Sequence, residues 1–146
     1  MKYLIILLLV VMTTTLQAQQ QKEPKYTLEA SGVLATSFTT GRLMMGVNLD
    51  VVRKEKYVFE SSIISHMNDH YPTMAQEKLG VRSKHWTILG GASYHYFNNT
   101  FTTEKSEWKF MTEVKYSLYL FKKSLGFTLQ NDGNYVSLGV ELGAIL

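Results

Sequence analysis

From Tyr26 to Leu146 the side chains alternate between apolar and polar with a period of two. That period belongs to β-strands, whose successive side chains point to opposite faces. The last twelve residues show it most cleanly. Val136, Leu138, Val140, Leu142, Ala144 and Leu146 share one face, and Ser137, Gly139, Glu141, Gly143 and Ile145 share the other. Eight such segments are predicted, at 26–38, 42–53, 56–66, 74–83, 85–97, 107–121, 124–131 and 134–146. The segment around Lys78 to Arg82 has the weakest pattern, and no stretch has a convincing helical period.

The links between strands sort by parity. Tight turns are expected near Lys54-Glu55, Ser83-Lys84 and Lys122-Lys123, joining strands two to three, four to five and six to seven. At the other end, Met67–Thr73 and Asn98–Ser106 are longer, whereas Thr39–Gly41 and the Asp132-Gly133 hairpin signal are short. Most strands reach the roughly 9–11 residues that cross a bilayer at a tilt, against about 5–6 for a soluble strand. Tyr57, Phe59, Trp86, Trp108, Tyr94 and Tyr96 fall near strand ends on the apolar face, where membrane barrels carry aromatic girdles. The tight turns are basic (Arg53, Lys54, Lys56, Lys84, Lys122, Lys123), which suits an anionic leaflet and equally suits a solvated turn.

Alternation alone does not say which face is inside. The apolar face carries almost no charge at its central positions. The opposite face mixes charges with small residues such as Ser31, Gly46, Ser62, Gly91, Gly126 and Gly139. Eight strands enclose an interior that side chains just fill. An interior of small residues and ions therefore fits a transmembrane barrel. The expected lumen network sets the anions Glu29, Asp50, Glu60, Glu113 and Glu141 against the cations Arg42, Lys78, Arg82, Lys109 and Lys115. Five against five is the balance that burial of ions requires. Such a lumen reads as a structural plug of paired charges, or alternatively as a pore or proton path.

The amino-terminal segment changes the compartment. Met1-Lys2 precedes an apolar run from Tyr3 to Met12, about ten residues and too short to span as a helix. Leu16-Gln17-Ala18 ends in a small residue where a signal peptidase could cut. Residues 1–18 are therefore read as a cleaved signal peptide rather than an anchor helix, 19–25 as a short lead-in, and 26–146 as one barrel domain. Removing 1–18 takes away Lys2 and leaves 14 Lys and Arg against 12 Asp and Glu. So small a surplus on an exported chain gives no nucleic-acid footprint. The sequence has no cysteine, which disfavours a lipoprotein and removes disulfides as a source of stability.

On the signal segment, the strand parity and the apolar closing strand, the chain resembles the small eight-stranded outer-membrane β-barrel proteins of Gram-negative bacteria. The resemblance implies an all-β, antiparallel, up-and-down transmembrane barrel in the cell outer membrane, surrounded by lipid. It also implies that the barrel-assembly machinery reads the last strand, which in that family commonly ends in Phe or Trp. Here Leu146 holds that place. Family roles range from adhesion and anchoring to lipid or solute handling, and the fold does not choose among them.

Candidate chemistry is sparse. His66, Asp69 and His70 are near in sequence and of ligand type, but a His-x-x-x-His pair is brought close together on one face only in a helix, so metal binding is not expected. A Ser-His-Asp hydrolase, acyltransferase or lipase reading of the same stretch lacks a visible oxyanion donor. His85 and His95 are placed on the lumen face as hydrogen-bonding plug residues. The expectation is a monomeric, non-enzymatic barrel without cofactor, with a structural role or an external partner held through loops 67–73 and 98–106. The alternative is a soluble periplasmic or secreted lipocalin-like barrel with the apolar faces turned inward around a ligand.

Overall fold

The computed structural model describes residues 26–68, 70–97 and 104–146; residues 1–25, where the signal peptide and lead-in are expected, Asp69 and residues 98–103 lie outside the described residues. Eight strands are present among them: β1 Tyr26–Ser37, β2 Leu43–Arg53, β3 Tyr57–His66, β4 Thr73–Ser83, β5 Trp86–Tyr96, β6 Glu107–Leu120, β7 Lys123–Asn131 and β8 Val136–Ile145. Each pairs antiparallel with its sequence neighbour, and β8 closes on β1. Closure leaves no free sheet edge, so each strand's backbone groups find partners on both sides.

The register fixes the shape. Following paired residues from Tyr26 through Arg53, Tyr57, Val81, Ile88, Val114, Leu129 and Leu138 returns to β1 at Thr36, ten positions further on (26 to 36). With a rise near 3.3 Å and strands near 4.8 Å apart, that stagger tilts the strands by about 40°.

The turns follow local chemistry. In the three-residue β2–β3 link, Lys54 and Glu55 both have positive φ (52° and 55°), and the Lys56 N–H closes the turn on the Arg53 carbonyl at 3.1 Å. Lys84 and Phe121 are also left-handed (52° and 57°). The last tight turn is centred on Phe121 and Lys122, one residue earlier than the sequence suggests, because β7 already begins at Lys123. At the opposite end Gly41 (65°) and Gly133 (86°) take the positive φ that a Cβ would disfavour.

The two faces have opposite chemistry, and in the order expected of a membrane barrel. Leu138, Val140, Leu142, Leu79 and Phe110 are exposed on the outside, Phe110 to 74%. In the closing strand Val136 and Leu146 are exposed with them, and Ala144 is half-buried. Glu141, Glu60, Lys78 and Lys115 are buried inside. A soluble ligand-binding barrel would reverse this. The outer face also departs from the pattern on one side: Glu77, half-buried between Lys78 and Gln76 on β4, shares the outward parity of Leu79 and Val81.

Candidate functional site

Inward parity and register assemble a charged lumen. Glu29 pairs with Asp50, and Asp50 with Glu60, so β1, β2 and β3 bring three carboxylates side by side. Like charges directly opposite one another are unfavourable unless counter-ions intervene. β4, the next strand round, supplies Lys78 as the register partner of Glu60 and Arg82 beyond it, and β6 supplies Lys115. Lys78, 1% exposed, lies between Glu60 and Glu113 and bonds both. Lys115 contacts Glu60, with Glu141 at 3.2 Å, Asp50 at 3.8 Å and Glu113 at 3.9 Å. Arg82 clasps Glu29 in a two-pronged bond (2.7 and 3.0 Å) and approaches Asp50 at 3.8 Å.

Neutral groups complete the shell. The Asn48 amide donates to Glu141 at 2.6 Å, Thr128 donates to Glu113, and the Tyr119 hydroxyl donates to Glu29 at 3.3 Å. The Arg82 guanidinium also lies over the Tyr119 ring, 5.5 Å from its centre. Small inward residues make the space. A Cβ at Gly139 would come within 2.9 Å of both Ala35 Cβ and Thr128 Cγ2.

Two residues expected in this network are elsewhere. Arg42 is exposed in the β1–β2 turn, outside either strand. Lys109, though on inward parity, sits near the open end of β6 and pairs with Glu107 at 2.8 Å in partial solvent. At a strand end, parity no longer decides burial, and a long cation reaches water. The buried cluster therefore sets five carboxylates against three cations rather than five against five.

Toward the longer loops the lumen changes character. Met44, Met74, Val33, Ala35, Ile64 and Tyr135 form an apolar cluster. The Tyr135 ring packs on His66 (4.9 Å between ring centres) and on His95 (5.6 Å). His66 Nδ1 is 3.2 Å from the Pro72 carbonyl, and His95 Nε2 is 3.5 Å from buried Asp132. Asp132 Oδ1 accepts the Tyr135 backbone N–H at 2.9 Å, which closes the β7–β8 turn with both residues buried. Burial, with the Glu104 and Asp132 carboxylates nearby, pushes the Tyr135 hydroxyl up to about 12. Sequence reasoning missed this cap. Its only sequence signal was the inward parity of Met44, Met74 and His95.

Of the metal candidates, His66 turns into the barrel and His70 is exposed, while Asp69 lies outside the described residues. Among the described residues no group of three His, Asp or Glu is placed to hold a metal ion. His85 is half-buried in the β4–β5 turn, with Nδ1 3.0 Å from the Ser117 carbonyl.

No protein-family model and no curated protein matches the chain. A solved structure of a de novo designed transmembrane β-barrel superposes with a TM-score of 0.59 at 9% identity, covering 86% of this chain and 100% of that one. At that identity the likeness is one of fold, and the chain is an all-β closed eight-stranded antiparallel barrel, similar in structure to designed transmembrane barrels.

Proposed function

We propose that this chain spans the bacterial outer membrane as a filled barrel, a structural or surface-interaction protein that does not conduct. The observation that carries the reading is the inversion of its two faces. Lys78 and Glu60 are sealed inside, whereas Leu142 is 67% exposed and Phe110 more so. In water, the contiguous apolar outer belt would be an aggregation surface. In hydrocarbon it is the favourable face. The designed transmembrane barrel of the same architecture supports the reading.

The closed lumen supports the non-conducting part. Ion pairs fill its middle, and Tyr135, His66 and His95 pack across it toward the loops. The connections at that end are the longest, and loops on a rigid scaffold are where binding functions concentrate. Segments 67–73 and 98–106 are therefore the proposed contacts for an external partner, and the barrel-assembly machinery is the proposed partner during biogenesis. The reading assigns no catalysis and no cofactor.

The test is in two steps. The protein expressed with its leader should fractionate with outer membranes, need detergent, and run differently on a gel before and after boiling. Refolded into a planar bilayer, it should show no resolved single-channel steps. Release in an osmotic-shock fraction would refute the membrane reading, and stable conductance would refute the plug.

A further inference from the structure

We infer that the outer face of β3 to β6 is a docking surface for a second copy of this chain, centred on Glu77. The inference rests on the membrane-spanning reading above. Glu77 is the register partner of Ser61 on β3 and of Ala92 on β5. The Ser61 hydroxyl donates to Glu77 Oε2 at 2.7 Å. Gly90, next outward on β5, pairs with Thr112 on β6. Four adjacent strands thus present Ser61, Glu77, Ala92, Gly90 and Thr112 within about 6 Å of height, in the band where β8 and β1 present Val140 and Leu34.

That band is the middle of the membrane. On β5 the outward rings Trp86 and Tyr94 stand toward the two ends, and Gly90 is halfway between them. At about 2.5 Å of height per residue on a strand tilted about 40°, Glu77 is about 10 Å from either ring's level. A glutamate side chain does not span that distance, so it cannot lift its carboxylate to the headgroups. One serine hydroxyl does not satisfy a carboxylate, which has about four acceptor sites. Ionisable groups on a membrane face are rare, and they mark a function with a partner.

The partner's chemistry follows from depth. Acyl chains offer no donor. A second barrel inserted in the same direction, related by a two-fold axis along the membrane normal, brings the same heights together. Its mid-height surface is apolar except for this patch, so only patch on patch gives Glu77 a hydroxyl donor, from Ser61 or Thr112 of the second copy. Gly90 and Ala92 let the two walls approach closely, as small residues do between membrane segments. Four strands about 4.8 Å apart over a core about 30 Å tall give an interface of order 400 Å² per copy. That is below the size of stable soluble complexes, so pairing is expected in the membrane plane and not in dilute detergent.

The chain has no cysteine, so a single engineered one reports proximity directly. Ala92→Cys in the full chain, reconstituted in phosphatidylcholine vesicles and mildly oxidised, is expected to give a disulfide-linked dimer as the major band. Leu34→Cys, on the far side, should give at least fivefold less. Adding Glu77→Leu should lower the Ala92→Cys dimer at least fivefold while the barrel still folds, read from its gel shift on boiling. Glu77→Gln, which keeps an acceptor and adds donors, should preserve it. Ala75→Cys serves in place of Ala92→Cys if the latter fails to fold. Dimer yield no greater than that of Leu34→Cys, or unchanged by Glu77→Leu, would overturn the inference, as would loss with Glu77→Gln. Failure to insert into the vesicles at all would instead refute the membrane reading.

Discussion

Replacing Lys78 by Met tests the lumen network at its most enclosed point. Lys78 is 1% exposed and bonds both Glu60 and Glu113. Methionine fills a similar volume, so the change removes charge with little cavity. It leaves five carboxylates facing Arg82 and Lys115 alone. Breaking a buried pair by removing one partner costs about 3–5 kcal/mol, because the remaining charge is uncompensated. Against a total stability of about 5–15 kcal/mol, that is a large fraction. Combining it with Glu113→Gln removes the stranded charge that Lys115 reaches only at 3.9 Å, while Glu60 keeps its bond to Lys115. The double variant should recover about 1–3 kcal/mol, the range of coupling between touching residues. Arg42→Ala, at an exposed turn, should stay within about 0.5 kcal/mol. The assay is reversible denaturant unfolding in vesicles, followed by the fluorescence of Trp86 and Trp108. A Lys78→Met loss no larger than that of Arg42→Ala would refute the network as a structural element.

Three further outcomes are expected. Val140→Lys, exposed near the middle of the outer belt, should cost about 2–4 kcal/mol and lower the yield of heat-modifiable barrel in vesicles. Gly139→Val should destabilise by a different route, about 1–3 kcal/mol of overpacking, because its Cβ meets Ala35 and Thr128 at 2.9 Å. The Tyr135 hydroxyl ionises near 12 when folded and near 10 when unfolded, so the folded state favours the proton. Its contribution is fully present below pH 10 and is lost as pH rises through 12. Tyr135→Phe should therefore flatten part of the alkaline fall in stability between pH 10 and 12 in a denaturant-midpoint titration.

Much of the barrel was legible because period two survives wherever one face meets a single medium. The strands match within two residues at each end, and Glu60, Lys78, Glu113 and Lys115 were recoverable from parity alone. Parity fails where the medium changes. Arg42 and Lys109 lie at the loop end, where water competes for a long cation. Glu77 was hidden because β4 has the weakest alternation, so its outward carboxylate did not stand out against Lys78. The cap was hidden for another reason: it needs Asp132 and Tyr135 from a loop to pack on His95 and His66, and loop placement leaves no periodic trace.

The direction in which the apolar residues face is tested most directly by quenching. Leu142→Cys carries the sole thiol in the chain and can hold a small fluorophore on the outer belt. In vesicles, lipids brominated along the acyl chains should quench it strongly, while aqueous iodide leaves it bright. Quenching by iodide with no effect of the brominated lipids would mean that this face does not meet hydrocarbon.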